Sequence, residues 1–144
     1  MHQTMNVDFV YNTDFKLNNE IETTQWINAF CKSEGFSIDS LVFAFFNDKE
    51  LKDLNVKFLN HDYFTDVISF DESYDGFVKG NIAISIDRVK ENASEFSCSF
   101  DDELRRVIIH GVLHFMGFND KTDDEKKKIK EKENFAIEMF HVKR

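Results

Sequence analysis

The chain has 144 residues, a formal charge of −9 and 42% hydrophobic residues, a share typical of globular proteins. This composition excludes a largely disordered chain, and the length predicts a single domain spanning residues 1–144. The absence of proline and the five glycines exclude a collagen-like chain or a glycine linker. The negative charge argues against a protein that coats nucleic acid regardless of sequence, because such proteins are normally basic.

The cysteines and the apolar runs predict the compartment. Cys31 and Cys98 lie far apart, form no C-x-x-C pair and are too few for a disulfide framework. Residues 1–6 lack the basic stretch and apolar run of a signal peptide. The longest apolar run, residues 107–118, is interrupted by polar residues and glycines and is too short to span a bilayer. We therefore expect a soluble, cytoplasmic protein.

The first half of the chain alternates predicted strands and helices. Residues 7–11 alternate in polarity and predict a strand, and the continuous apolar run 41–46 predicts a buried one. Between them, a helical apolar face ends before Gly35, a residue that often closes helices. Asn47 followed by Glu50 is an N-cap pattern and begins a short helix. The predicted apolar stripe of that helix is Leu51, Leu54 and Phe58.

Two further strands are predicted in the middle of the chain. Residues 60–66 are polar and aromatic, and residues 71–79 contain Gly76 and several polar groups, so both segments predict loops. Residues 67–70 and 81–85 have the strand-forming composition. This order of elements predicts an α/β or α+β domain with a small sheet of about four strands.

The remaining third of the chain predicts three helices. Asp87 is the expected cap of the first, and Ser99 caps a second that runs from about residue 101 to 115. Thr122 and Glu125 form a capping box that begins the last helix. The second half of the 101–115 helix is apolar on every side, which predicts that it is buried. The expected apolar face of the first is Val89, Ala93 and Phe96.

The segment 110–120 contains the residues most typical of a reactive site. His110 and His114 are four residues apart on a predicted helix, so both imidazoles project from one face and reach one metal ion. Gly117 lets the helix end, and Asp120 then presents a carboxylate as the third ligand. Three protein ligands leave a fourth position open, as in catalytic rather than structural zinc sites. We predict one Zn²⁺ held by His110, His114 and Asp120.

The spacing of the whole segment is more informative than its histidine pair. An isolated H-x-x-x-H pair is a weak signal, and its alternative is a pair of core histidines with other hydrogen-bond partners. Two histidines in an apolar helix are costly to bury without partners, and a shared metal provides one for both. The spacing H-x-x-x-H-x-x-G-x-x-ligand is metzincin-like, but Gly111 occupies the position of the glutamate base of zinc peptidases. Peptide hydrolysis by the usual route is therefore not expected.

Several motifs in order resemble the YbeY family of metal-dependent endoribonucleases. The motif H-G-x-L-H-x-x-G begins at His110, and L-N at 54–55, T-D-V-I-S-F at 65–70 and G-N-I at 80–82 precede it in family order. The resemblance implies a small mixed sheet of about four strands with about five helices and a zincin-like metal helix. It also implies one zinc ion and cleavage of single-stranded RNA in ribosomal RNA maturation, namely 16S rRNA 3′-end processing.

Three positions depart from the family pattern. Asn-Asp at 119–120 replaces the usual Asp-His, and Asp is also a competent zinc ligand. Leu59 replaces an arginine that would be a natural phosphate clamp. Lys57 and His61 are candidate substitutes for it, with a solvated loop position as the alternative for each. Asn81 replaces a frequent aspartate.

Charged side chains near the metal motif are candidates for other roles. Arg106 lies four residues before His110, shares its helix face and is a candidate phosphate contact. The lysines of residues 126–132 are predicted to form a solvated face rather than an RNA patch, because aspartates precede two of them at i,i+4. By resemblance, His61 lies near the metal and is a candidate acid or base, with an exposed loop histidine as the alternative.

Three functional hypotheses follow from these features. The leading one is a zinc-dependent endoribonuclease whose partners are an rRNA precursor and the small ribosomal subunit or its proteins. The second is a non-catalytic, ribosome-associated assembly factor with a structural metal, which the changes at Leu59 and Asp120 keep open. The third is a metallohydrolase of another substrate. In each case a net charge of −9 implies that any contact with RNA is local.

Overall fold

The structure is a computed structural model that describes residues 6–61 and 65–142, which contain four strands and five helices. The start of the chain and the middle of the predicted loop 60–66 lie outside the described residues. None of the described helices is long and apolar enough to cross a membrane. The elements in chain order are β1 (Val7–Tyr11), α1 (Glu20–Ser33), β2 (Ser37–Phe46), α2 (Asp48–Leu59), β3 (Val67–Asp71), β4 (Phe77–Ser85), α3 (Ile86–Glu95), α4 (Phe100–Phe115) and α5 (Asp123–Val142).

The four strands form one mixed sheet in the order β1-β2-β4-β3. β1 is parallel to β2 and β2 is parallel to β4, whereas β3 is antiparallel to β4 and forms one edge. The parallel neighbours are joined through helices, as parallel connections require. The predicted α+β fold with a small mixed sheet and about five helices is therefore confirmed.

Alternation along β4 places helices on both faces of the sheet. Ile82 and Ile84 belong to the main core, which also includes residues of α1, α4 and α5. Ala83, between them in sequence, packs with Leu51 of α2 and Ile68 of β3 in a second cluster. Successive side chains of a strand point to opposite faces, so α2 covers one face and the metal-motif helix α4 packs on the other. Gly111 allows this packing, since a Cβ there would lie 2.9 Å from Ile82 Cδ1.

Three of the predicted helix caps are confirmed. The side chain of Asn47 accepts a hydrogen bond from the Glu50 amide at 2.8 Å, and Ser99 Oγ accepts one from the Asp102 amide at 3.1 Å. The capping box is reciprocal: Thr122 Oγ1 accepts from the amide of Glu125, whose carboxylate accepts from the amide of Thr122. The predicted cap of α3 was wrong. Ser85 Oγ accepts from the Arg88 amide, and Asp87 lies inside the first turn.

Three other expectations require correction. The predicted loop 71–79 is shorter, because β3 includes Asp71 and β4 begins at Phe77. Phe58 is 57% exposed, because it lines an open apolar pocket on the face of the sheet that α2 covers, where its ring lies 6.1 Å from the ring of Phe70. Phe96 is 61% exposed, because α3 ends at Glu95 and Phe96 lies at its C-cap, outside the packed face.

Candidate metal centre

The end of α4 brings the predicted metal ligands together. His110 and His114 lie one turn apart on the helix, which ends at Phe115. Gly117 follows with φ +99°, a left-handed conformation that glycine adopts without a Cβ penalty. The amide of Gly117 donates to the carbonyl of His114 at 3.0 Å, which closes the last turn. The chain therefore reverses there, and Asp120 faces both imidazoles.

The donor atoms of these three residues have the spacing of ligands around one ion. The distance between the two Nε2 atoms is 3.0 Å, and Asp120 Oδ2 lies 3.6 Å from His110 Nε2 and 3.5 Å from His114 Nε2. Two ligands bound to one tetrahedral zinc at its usual distances are separated by about 3.3 Å. Two imidazole nitrogens and one carboxylate oxygen are also a donor set that zinc accepts. The residues present therefore fit a zinc ion.

A buried glutamate of α5 orients His110. Glu133 is 6% exposed, and its Oε2 lies 2.7 Å from His110 Nδ1. If Nδ1 carries the proton and donates a hydrogen bond to this carboxylate, the lone pair of Nε2 stays free for a metal. Burial opposes a charge on His110, but the hydrogen bond and negative charge of Glu133, together with the charges of Asp120 and Asp66, raise the pKa of the imidazole. No motif in the sequence had indicated Glu133.

Glu133 is also bound to Arg106, the predicted phosphate contact. Arg106 Nη1 donates to Glu133 Oε1 at 3.1 Å, and Arg106 Nε lies 3.6 Å from Oε1 of buried Glu103. Burial raises the pKa of Glu103, and the charge of Arg106 opposes that rise only in part. Arg106 thus neutralises two buried carboxylates beside the metal centre, and it also lines the pocket there.

Asp66 supplies a further carboxylate on the same side of His110. It immediately precedes β3, and its Oδ2 accepts a hydrogen bond from Asn92 Nδ2 of α3 at 3.2 Å. Burial raises the pKa of Asp66, and the charge of His110 opposes that rise only in part. The motif at residues 65–70 contained Asp66, but only the tertiary structure places it in the same pocket as His110.

The sequence of this chain matches a known protein family over nearly its whole length. The family model described as Endoribonuclease YbeY matches residues 8–141. The chain belongs to the endoribonuclease YbeY family. A protein of that name from Flavobacterium johnsoniae is 41% identical over 136 residues, covering 94% of this chain and 98% of its own. Another, from Christiangramia forsetii, is 43% identical over 136 residues, covering 94% of this chain and 95% of its own.

A solved structure has the same fold. The solution structure of TM1509 from Thermotoga maritima matches with a TM-score of 0.72 at 27% identity. The match covers 95% of this chain and 90% of that one. The resemblance to the YbeY family that the motifs between residues 54 and 117 indicated is therefore confirmed over nearly the whole chain.

Two pockets meet at the metal centre of this YbeY family member. The first, of about 400 Å³, lies between α3, α4 and α5 and is lined by His110 and Asp120; we call it the α5 pocket. The second, of about 540 Å³, runs beside the edge strand β3 and is lined by His114; we call it the β3 groove. The polar lining of the β3 groove includes Asn55, His61, Thr65, Ser69 and Asp71.

The positions that depart from the YbeY pattern have different locations. Leu59 and His61 line the β3 groove with His114, so His61 does lie near the metal centre. Lys57 lies instead with its Nζ 5.3 Å from the ring centroid of Phe58. Asn81 lines a separate apolar pocket beside Phe58. Of the two candidate substitutes for the family arginine, the structure therefore brings only His61 to the centre.

Proposed function

We propose that this YbeY family member is a zinc-dependent, single-strand-specific endoribonuclease that acts in 16S rRNA 3′-end processing and ribosome maturation. Endoribonuclease activity is that of its family. The observation that supports the zinc dependence is the convergence of two imidazole nitrogens and one carboxylate oxygen at separations of 3.0–3.6 Å. The proposed partners are an rRNA precursor and the small ribosomal subunit or its proteins in the cytoplasm.

We assign His110, His114 and Asp120 as the ligands of one zinc ion. When bound, the ion supplies a Lewis acid that stabilises negative charge developing on a phosphodiester. Glu133 holds the proton on His110 Nδ1, which keeps the Nε2 lone pair directed at the centre. Three protein ligands rather than four favour a catalytic over a structural metal.

The two pockets allow a single strand to pass across the centre. The β3 groove and the α5 pocket lie on either side of the ligand cluster, so a strand occupying both would place one phosphodiester at the metal. His61 in the groove and Asp66 in the pocket are two of the titratable groups that line these sites. They are the candidates for moving a proton during cleavage.

The proposal is tested by measuring zinc content and RNA cleavage on the same samples. His114→Ala and Asp120→Ala should lose both zinc and cleavage of single-stranded RNA. His141→Ala is the matched control, because His141 pairs with Asp102 Oδ1 at 2.8 Å and lines neither pocket. Loss of zinc with full retention of cleavage would refute a catalytic metal. Product-end analysis distinguishes the attacking group, since a 2′,3′-cyclic phosphate means that the ribose 2′-OH attacked.

One observation favours a second candidate function, a non-catalytic assembly factor with a structural metal. Leu59 lines the β3 groove where the family pattern has an arginine, so the groove lacks that phosphate contact. Growth of cells that carry only the Asp120→Ala protein separates the two functions. An endoribonuclease predicts accumulation of unprocessed 16S rRNA in such cells. Normal rRNA ends together with defective subunit assembly would favour the assembly factor.

A further inference from the structure

The α5 pocket has the size of a ligand site and opens directly onto the metal centre. Its volume of about 400 Å³ lies within the range of about 300–1,000 Å³ found for small-molecule sites. Val107 and Ile129 provide apolar lining, and the metal ligands His110 and Asp120 also line the pocket. A group bound here would therefore lie next to the reacting phosphodiester.

Two lysines of α5 line this pocket and differ from their neighbours in the helix. Lys126 and Lys130 are exposed, four residues apart and therefore on one face. Neither has an acidic residue four positions before or after it, whereas Lys127 and Lys128 follow Asp123 and Asp124 by four. Of this run, Lys126 and Lys130 line the pocket, and neither forms an ion pair among the described residues although Asp123 and Glu133 lie three positions away.

The acidic groups of the pocket do not cancel these two positive charges. Glu133 is bound to Arg106 and His110, and Glu103 lies beside Arg106. The Asp66 carboxylate accepts the amide of Asn92. These three acidic side chains therefore have partners within the protein, and among the described contacts Lys126 and Lys130 have no acidic partner, so their ammonium groups are available to an anion.

An aromatic side chain completes the pocket. Phe96 lines it from the C-cap of α3 and is 61% exposed, so its ring is accessible from the pocket. Exposed aromatic rings beside lysines are the usual means by which proteins bind single-stranded RNA, because bases stack on the ring and phosphates pair with the cations.

We propose that the α5 pocket binds one nucleotide of single-stranded RNA next to the cleaved linkage. Lys126 and Lys130 bind its flanking phosphates, and Phe96 stacks on its base. This inference rests on the proposed endoribonuclease function. It would allow a chain whose net charge is −9 to bind RNA locally. It also assigns Lys126 and Lys130, which were predicted to lie on a solvated face, to the substrate site.

The lysines are tested by the salt dependence of binding. The zinc-loaded full chain is titrated into a short, labelled 2′-O-methyl RNA strand at several salt concentrations, with gels to confirm that the strand stays intact. Each phosphate contact contributes about 0.7 to the slope of log K against log salt for single strands. Replacing both Lys126 and Lys130 by Ala should therefore reduce the slope by about 1.4.

The matched control replaces Lys127 and Lys128 by Ala, which changes the net charge by the same amount on the same helix. This control should keep the wild-type slope and affinity. Equal effects of the two double variants, or no effect of either, would overturn the lysine contacts while wild-type cleavage still supports the proposed function. A wild-type protein that neither binds nor cleaves single-stranded RNA would refute both.

Base stacking is tested with Phe96→Ala and the same oligonucleotide. Loss of one stacked base should weaken binding by about 5- to 150-fold without changing the salt slope. Phe96→Trp should retain the affinity, which a purely structural role would not predict. Phe77→Ala is the control, because Phe77 is also exposed but lies at the first residue of β4 and does not line the α5 pocket. Wild-type affinity in Phe96→Ala with an intact circular dichroism spectrum would overturn the stacking.

Discussion

His110 and Glu133 lie 23 residues apart in sequence, yet His110 Nδ1 and Glu133 Oε2 are 2.7 Å apart. The glutamate occupies the buried stripe of α5, between apolar positions, and Arg106 binds its other oxygen. A charged group in such a stripe is costly unless it is paired, and both of its oxygens are paired here. The contact therefore connects the metal-motif helix to the last helix and sets the orientation of one ligand.

Glu133→Gln should weaken zinc binding by about 10- to 100-fold. A neutral amide accepts the hydrogen bond from His110 Nδ1 more weakly than a carboxylate and makes the imidazole a weaker ligand. Competition with a chromophoric chelator measures the affinity independently of cleavage. Glu131→Gln, an exposed position on the same helix, should bind zinc like the wild type. Unchanged affinity in Glu133→Gln would show that this contact does not tune the site.

Zinc should raise the melting temperature of the protein in a concentration-dependent manner. A ligand that binds only the folded state stabilises it by about 2.7 kcal/mol at a concentration of 100 times Kd. Thermal melts after chelator treatment and during zinc addition measure the shift. His110→Ala should abolish it and His141→Ala should keep it. A shift that survives in His110→Ala would place the ion elsewhere.

Arg106→Ala should lower the free energy of unfolding by about 1–3 kcal/mol, because it leaves two buried carboxylates without their cation. The lower part of that range allows for solvent screening of a side chain that is 30% exposed. Urea denaturation measures the change, and Arg106→Lys should recover part of it. RNA binding by Arg106→Ala should keep its salt slope if Arg106 serves the two carboxylates alone, whereas a lower slope would show that Arg106 also contacts a phosphate.

Asp66→Asn should stabilise the metal-free protein, and more at neutral than at acidic pH. Because the pKa of Asp66 is raised by burial, the folded state binds the proton more tightly than the unfolded state. Below about pH 4 both states hold the proton, so Asp and Asn differ little. As pH rises through the folded pKa, the buried charge costs stability that Asn avoids. Urea melts with chelator at two pH values test this, and a pH-independent difference would contradict it.

Leu59→Arg should strengthen RNA binding through the β3 groove. The new guanidinium would add about one phosphate contact and increase the salt slope by about 0.7. The same oligonucleotide titration measures this gain. Leu59→Gln, which is polar but uncharged, serves as the control. An unchanged slope in Leu59→Arg would indicate that the strand does not follow this groove near residue 59.

Features that depend on neighbouring residues were predictable from the sequence. The caps at Asn47, Ser99 and Thr122 are hydrogen bonds between residues three apart, so the local pattern determines them. The ligand cluster also follows from local geometry. Helical periodicity aligns His110 with His114, and the turn after them returns the carboxylate at 120.

Only the tertiary structure decided what surrounds that cluster. Glu133 contacts His110 from α5 and Asp66 lines the same pocket from the start of β3, and no short-range pattern encodes which elements pack together. The exposure of Phe96 and the division of the lysine run depend on where α3 ends and how α5 is rotated against α4. The packing of entire helix and sheet faces decides these features, because the hydrophobic free energy depends on the total apolar area that is buried and not on any single residue. The sequence by itself thus determined the metal motif, and the fold determined its electrostatic partners and the pockets beside it.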